Sequence, residues 1–163
     1  MQKWNVVLAG LMVAVFAHGL EVGDQAPAIE AKDQDGQAWT RTENQGGKYL
    51  VVYFYPAAMT GGCTKQACAY RDHLKAGKPN FMVVGISGDT PQNLKCFQTA
   101  EKLNFTLLSD PEGAIAKAFG VPVKVGKKTI TRKVDGKEVE LERSATTERW
   151  TFIIDPAGKV VYK

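Results

Sequence analysis

Cysteine is scarce in this sequence, with three in 163 residues. That is too few to staple a small domain with disulfides, and the chain is long enough to bury a core without them. Cysteine here therefore points to chemistry before scaffolding. Histidine is scarcer, with two in the chain, and Cys63, Cys68, His73 and Cys96 match no metal-ligand spacing, including that of a copper carrier. A Cys-x-x-Cys redox pair is also missing, because four residues separate Cys63 from Cys68. Charge of one sign is nowhere concentrated. The 21 Lys and Arg against 17 Asp and Glu leave a net +4, but Lys137-Glu138, Glu140 and Glu142-Arg143 intersperse the signs, which argues against nucleic-acid binding. No internal repeat or low-complexity linker divides the chain, so residues 20–163 read as one globular domain.

Nor does any apolar run reach the roughly 20 residues of a membrane-spanning helix. The run over residues 6–17 follows Lys3 and leads into Ala17-His18-Gly19, which sets small residues at positions −3 and −1 of a cut before Leu20. This is the pattern of a secretory signal peptide over residues 1–19. It predicts an exported, periplasmic protein with no stable membrane association after cleavage, working where thiols are easily oxidised.

What is present is a set of short apolar runs rich in β-branched and aromatic residues. Leu50-Val51-Val52-Tyr53-Phe54-Tyr55, Phe81-Met82-Val83-Val84-Gly85-Ile86 and Trp150-Thr151-Phe152-Ile153-Ile154 lack polar alternation and read as strands buried on both faces. Cys63, Ala67, Tyr70 and Leu74 form the apolar stripe of an intervening helix. Thr90 as N-cap with Pro91 opens a second helix, facing inward through Leu94, Phe97, Ala100 and Leu103. Asp110-Pro111 opens a short third helix that Gly120 stops. This order predicts an α/β architecture, a central sheet covered by helices. Near residues 128–143, Asp135-Gly136 between two alternating runs signals a β-hairpin. A two-residue loop pairs Ile130 with Leu141 and Arg132 with Val139, and also Lys133 with Glu138 and Thr131 with Glu140, each favourable pair worth tenths of a kcal/mol up to ~1. The hairpin reads as a decorated edge outside the chemistry.

The informative segment runs from Tyr55 to Cys68. It joins the end of a buried strand to the start of a helix, where open α/β folds place their ligands. Thr60 is the candidate N-cap, leaving Gly61, Gly62 and Cys63 in the first turn, where free amides and the helix dipole favour an anion. A thiol so placed can be a thiolate at neutral pH, which makes Cys63 a candidate nucleophile. Free cysteine is also commonly a small buried hydrophobe, and the stripe that contains Cys63 allows that reading too.

Pro56, Thr60 and Cys63 together resemble the active-site motif of the peroxiredoxins, Pro, three residues, Thr, two residues, Cys. Cys68, five positions after Cys63, resembles the resolving cysteine of the bacterioferritin comigratory protein subgroup, also called Q-type. The resemblance extends to Val22-Gly23-Asp24-Gln25-Ala26-Pro27, Tyr70-Arg71-Asp72, Leu107-Leu108-Ser109-Asp110 and Arg149-Trp150-Thr151-Phe152-Ile153-Ile154-Asp155, covering nearly all of residues 21–163. The chain departs from the family at Ala58, Gly61 and Trp150 and in a longer stretch between Val121 and Glu148. The family usually ends with a helix packed on the sheet; the sequence stops after the strand around Val160-Val161-Tyr162, and the expectation is a chain lacking that helix.

The resemblance implies a thioredoxin-like fold with a central mixed β-sheet and a thiol peroxidase acting on hydrogen peroxide or organic hydroperoxides. Cys63 would be the attacking thiol and Cys68 the resolving one, forming a Cys63–Cys68 disulfide that a thioredoxin-like dithiol reductant opens. Arg149, Thr60 and Gly62 would bind the peroxide, Pro56 would shield the oxidised sulfur, and the protein would need no cofactor and no metal and would act as a monomer. Without the resemblance, Arg149 also reads as a solvated strand-end residue and Thr60 as a cap alone. Arg71 reads as a structural charge, His73 as a surface residue, and Cys96 as a second candidate resolver. The competing reading is a non-catalytic exported binding domain of the same fold, with a permanent Cys63–Cys68 bridge.

Overall fold

Strand β3 (Tyr49–Phe54) lies at the middle of the architecture because its period-two alternation feeds two separate cores. Leu50, Val52 and Phe54 point to one face of the sheet, while Val51, Tyr53 and the following Tyr55 point to the other. Both faces are covered, so the strand reads as an unbroken apolar run. The computed structural model describes residues 19–77, 79–134 and 136–163. The signal-peptide reading lies outside the described residues except at Gly19, and Asp135 of the hairpin turn lies outside them as well. Among the described residues no helix is long and apolar enough to cross a membrane.

Around β3 the sheet is mixed. Strand β4 (Phe81–Ser87) pairs with β3 in parallel, and β5 (Thr106–Ser109) pairs in parallel with β4. On the other side β8 (Thr151–Ile154) runs antiparallel to β3, and β9 (Val160–Tyr162) antiparallel to β8. Two short strands, β1 (Glu30–Asp33) and β2 (Ala38–Thr40), extend the β5 edge, and a four-residue helix, α1 (Arg41–Asn44), follows them. The sequence reading leaves these three elements out. They are too short to establish a period, and β1 has no fully buried side chain.

Helices α2 (Gly61–Lys75) and α3 (Pro91–Ala100) cover one face, packing Cys63, Ala67, Leu94 and Phe97 against Tyr53 and Tyr55. The expected stripe is present, with Tyr70 and Leu74 half-buried at its edge. Thr90 caps α3 as expected, accepting a hydrogen bond from the Asn93 amide at 3.3 Å, but Leu103 falls beyond that helix. Helix α4 (Ala114–Ala118) covers the opposite face through Ile115 and Ala116. It begins later than Asp110-Pro111 suggests. Gly113 in the left-handed region turns the chain first, and the Asp110 carboxylate then accepts from the Ile115 and Ala116 amides at 3.2 and 2.9 Å. Gly120, at φ 70°, follows its end as expected.

Two further expectations change. Strand β8 is not buried on both faces: Thr151 and Ile153 are half-exposed and border a groove of about 950 Å³ that also takes in Tyr49, Phe81 and Tyr162. The hairpin is longer than residues 128–143, with β6 (Val123–Val134) and β7 (Lys137–Thr147) forming a sheet of their own. Its register is the expected one, Ile130 opposite Leu141, Arg132 opposite Val139, Lys133 opposite Glu138 and Thr131 opposite Glu140. Gly136, at φ 81°, completes the two-residue turn between the paired Val134 and Lys137.

The base of β7 is fastened to the main sheet at Gly88, just past β4. The Ser144 amide donates to the Gly88 carbonyl at 3.2 Å, and a Cβ on Gly88 would stand 2.2 Å from the Ala145 carbonyl oxygen. Backbone on both sides leaves nothing flexible to give way. Gly88→Ala is expected to cost about 1–3 kcal/mol, as overpacking does, and so to lower the melting temperature by at least ~2 °C for a chain of this size. An unchanged melting temperature would mean that β7 is not seated on this glycine.

Candidate active site

Cys63 lies in the first turn of α2, 2% exposed, under the end of β3. The first bond of the helix runs from the Thr64 amide to the Thr60 carbonyl at 2.8 Å, so the Gly61, Gly62 and Cys63 amides precede the helical ladder. Thr60 holds the N-cap position as expected, but its hydroxyl donates to the Ala57 carbonyl at 3.1 Å and makes no capping bond. The backbone enters this turn through Met59 at φ 56°, a left-handed conformation costing a residue with a side chain roughly 1–2 kcal/mol.

Arg149 reaches the same point from the far end of the sequence, in the segment between β7 and β8. Its Nη2 donates to Cys63 Sγ at 3.2 Å and would stand 3.6 Å from a Cβ on Gly62. Its Nη1 donates to Gln66 Oε1, one turn along α2 from Cys63. Arg149 and Gln66 open onto a hollow of about 490 Å³ that Trp150, Thr151, Tyr162 and Lys163 also bound. The larger groove beside it is mostly apolar; neither lining includes a cysteine, and the smaller hollow is tied to Cys63 through Arg149, whose Nη2 meets the sulfur. Arg149 is exposed, as the strand-end reading has it, yet both its Nη atoms are engaged on α2. Gln66 is a functional candidate that the sequence reading missed, although a spacing of three from Cys63 on a predicted helix sets it beside the same sulfur.

Beneath Cys63, Tyr53 and Tyr55 stack with ring centroids 5.3 Å apart. Burial pushes both phenols well above their ordinary value of 10.0, so they are neutral walls of the site. Gly85, opposite Tyr53 in the sheet, makes room for that ring, since a Cβ there would meet the Tyr53 hydroxyl at 2.6 Å.

Cys68 is on the same helix but not in contact with Cys63. Its sulfur lies 3.5 Å from Glu101 Oε2, and burial followed by the Glu101 carboxylate pushes the thiol above its ordinary value of 9.0 while Arg71 pulls it down. Cys63, Cys68 and Cys96 are not joined by disulfides. Arg71 is structural, pairing with Asp72 at 2.8 Å and donating to the Glu101 carbonyl at 2.6 Å. His73 is exposed and stacks on Phe81 with centroids 5.8 Å apart. Pro56 is half-buried at the end of β3.

The hairpin also reaches this site, against the expectation of a remote edge. Arg132 Nε donates to the Met59 carbonyl at 3.2 Å, and the Thr147 hydroxyl donates to the Tyr55 carbonyl at 3.1 Å. Among the described residues no three or more His, Cys, Asp and Glu side chains gather as a metal site.

The AhpC/TSA family pattern matches residues 22–163. Peroxiredoxin Bcp of Escherichia coli K12 is 43% identical over 143 residues, spanning 86% of this chain and 83% of its own. Among solved structures, peroxidoxin BcpB of Mycobacterium tuberculosis superposes with a TM-score of 0.69 at 34% identity, covering 86% of this chain and 82% of the other. The Xanthomonas campestris bacterioferritin comigratory protein, studied for its alkyl peroxide reduction activity, gives 0.65 at 27% identity, covering 88% and 83%. On this agreement across the chain, the protein belongs to the AhpC/TSA family and is a thioredoxin-fold peroxiredoxin, a thiol-dependent peroxidase.

Proposed function

We propose that this peroxiredoxin reduces hydrogen peroxide and small organic hydroperoxides with Cys63 as the attacking sulfur and Cys68 as the resolving one. The observation that carries the reading is the 3.2 Å contact between Arg149 Nη2 and Cys63 Sγ at the open turn of α2. The Cys63 thiolate attacks the terminal peroxide oxygen, and the O–O bond breaks. The departing oxygen takes up a proton and leaves as water or alcohol, while Cys63 becomes a sulfenic acid. Negative charge spreads over both oxygens as that bond breaks, and fixed donors at that point lower the barrier. Arg149 supplies one, and the first-turn amides of Gly62 and Cys63 supply others. Thr60 shapes the entrance, Gln66 steadies Arg149, and Pro56 shields the sulfenic acid from water. Cys68 then attacks the sulfenic sulfur, forming the Cys63–Cys68 disulfide and releasing water, and a thioredoxin-type dithiol donor reduces that disulfide by exchange. The signal-like sequence over residues 1–19 supports an exported enzyme with a periplasmic donor of that class.

The resolving step cannot occur within an intact α2. Five residues along one helix separate Cα atoms by roughly 8–9 Å, whereas a disulfide needs about 4.4–6.8 Å. The same distance opposes a permanent bridge in this conformation. The helix must open between the two chemical steps, and opening frees Cys68 from the burial and from the Glu101 carboxylate that hold it as a thiol.

Cys63→Ser is expected to abolish peroxide turnover, and Cys68→Ser to allow one oxidation and then accumulate sulfenic or over-oxidised Cys63, read by mass spectrometry. Normal cycling of Cys68→Ser alongside failure of Cys96→Ser would move the resolving role to Cys96. Arg149→Met should keep the fold and slow the oxidation step by on the order of 10²–10³; equal rates at matched thiolate concentration would remove Arg149 from the transition state. Hydrogen exchange on the disulfide form should show amide protection lost from Gln66 to Tyr70. Protection retained there in a fully oxidised sample would rule out the opening of α2.

A further inference from the structure

The peroxidase chemistry leaves unused a carboxylic acid buried directly behind the active-site loop. Asp89 is 1% exposed and sits just past the end of β4. Its Oδ2 accepts two hydrogen bonds, from the Ala58 amide and from the Ser87 hydroxyl, both at 2.8 Å. Ala58 is a loop residue between β3 and Cys63. Asp89 is itself held from behind: the Ser109 hydroxyl donates to its carbonyl at 2.7 Å, and its backbone bridges to Arg143 of β7. The Arg143 guanidinium lies near enough to favour the ionised carboxylate, and Arg143 Nη1 is buried with no hydrogen-bond partner among the described residues.

We propose that Asp89 is a positioning residue for the attacking cysteine, fixing the loop from Ala57 to Thr60 through the Ala58 amide so that Cys63 Sγ meets Arg149. The placement follows bond by bond. Asp89 fixes Ala58; the neighbouring Ala57 carbonyl accepts the Thr60 hydroxyl, and Thr60 begins the turn that holds Cys63. Met59, in its left-handed conformation, is gripped on its other side by Arg132. Both cations come from the hairpin, Arg132 acting on the loop directly and Arg143 through Asp89. Burial pushes the Asp89 carboxyl above its ordinary value of 3.8, against the pull of Ala58, Ser87, Arg143 and Asn93. An acid kept where burial disfavours its charge fits a role in placement better than one in stability.

The proposal rests on the peroxidase reading, and its test separates the two. Single-turnover oxidation of reduced protein by hydrogen peroxide is followed by stopped flow, and alkylation of Cys63 by iodoacetamide is followed in parallel by mass spectrometry. Alkylation needs the thiolate but not its alignment with Arg149. Asp89→Ala should lower the peroxide rate by about 10-fold to 10²-fold, the scale of a small misplacement, while alkylation changes far less. Asp89→Asn keeps an acceptor oxygen for both donors and should restore most of the peroxide rate. A parent protein that does not react with peroxide would sink the peroxidase reading itself. Given a reactive parent, the role assigned to Asp89 is overturned by any of three results: Asp89→Ala at the parent rate, both reactions slowed by the same factor, or Asp89→Asn as slow as Asp89→Ala. If Asp89→Ala does not fold, Ser87→Ala carries the test. It removes one of the two bonds to Oδ2 and should slow peroxide oxidation selectively; an unchanged rate there overturns the proposal too.

Discussion

A sulfur that is to carry charge beneath a protein surface must recover from its surroundings what it loses by leaving water. Beside Cys63 stands a guanidinium 86 residues away in the chain, and the architecture brings the two within 3.2 Å. The antiparallel pairing of β8 with β3 sets the start of β8 beside the end of β3. That end leads into the loop before α2, and the start of β8 follows directly from Arg149. Register alone therefore carries the guanidinium to the top of α2. The Phe54 amide donating to the Trp150 carbonyl at 2.8 Å locks the arrangement one residue from Arg149.

The loop between β3 and α2 has too few residues to hold itself in place, and its fixings come from elsewhere. Thr147 ties Tyr55, Asp89 ties Ala58, and Arg132 ties Met59. Two of these three donors or acceptors belong to the hairpin. An insertion that looks decorative by composition thus serves as a bracket: its base is pressed against Gly88, and its strands touch the loop from outside. Exposed sheet with mixed charge adds little stability by itself, and its contribution here lies in where it places a few side chains.

Much of this was legible in the sequence, for identifiable reasons. The strands buried on both faces announce themselves as apolar runs, and the α2 stripe, the Thr90 cap and the hairpin register follow from periodicity and turn chemistry over enough residues to be unambiguous. Strands β1 and β2 were not legible because three or four residues carry no period. The site was legible where chemistry depends on residue type at fixed spacing, as for Cys63, or on resemblance, as for Arg149. It was not legible where the contribution is a hydrogen bond across the fold. Nothing in the neighbours of Asp89 along the chain says that its carboxylate meets an amide 31 residues earlier. Thr60 shows both sides: its N-cap position was legible from local sequence, whereas the bond from its hydroxyl to the Ala57 carbonyl was not.

That uncapped turn bears on the two demands that the proposed mechanism places on α2. Helix α3, which like α2 has no acidic residue in its first turn, begins with Thr90 accepting from the Asn93 amide and with Pro91 in the first position. Helix α2 begins with no side-chain cap and with two glycines, each about 1 kcal/mol worse than alanine inside a helix. An oxygen acceptor or carboxylate there would compete with the sulfur for the amides that a negative charge at Cys63 requires. It would also strengthen the turn that the proposed resolving step requires to open. Weak local stability at this terminus thus satisfies both requirements together, leaving the amides available to the reacting atoms and keeping the cost of opening low. Rigidity is supplied from outside the helix, by Arg149 and the fixed loop. In the proposed cycle, oxidation of Cys63 puts an oxygen on the sulfur that Arg149 holds and so disturbs that external hold at the step where the helix would have to let go.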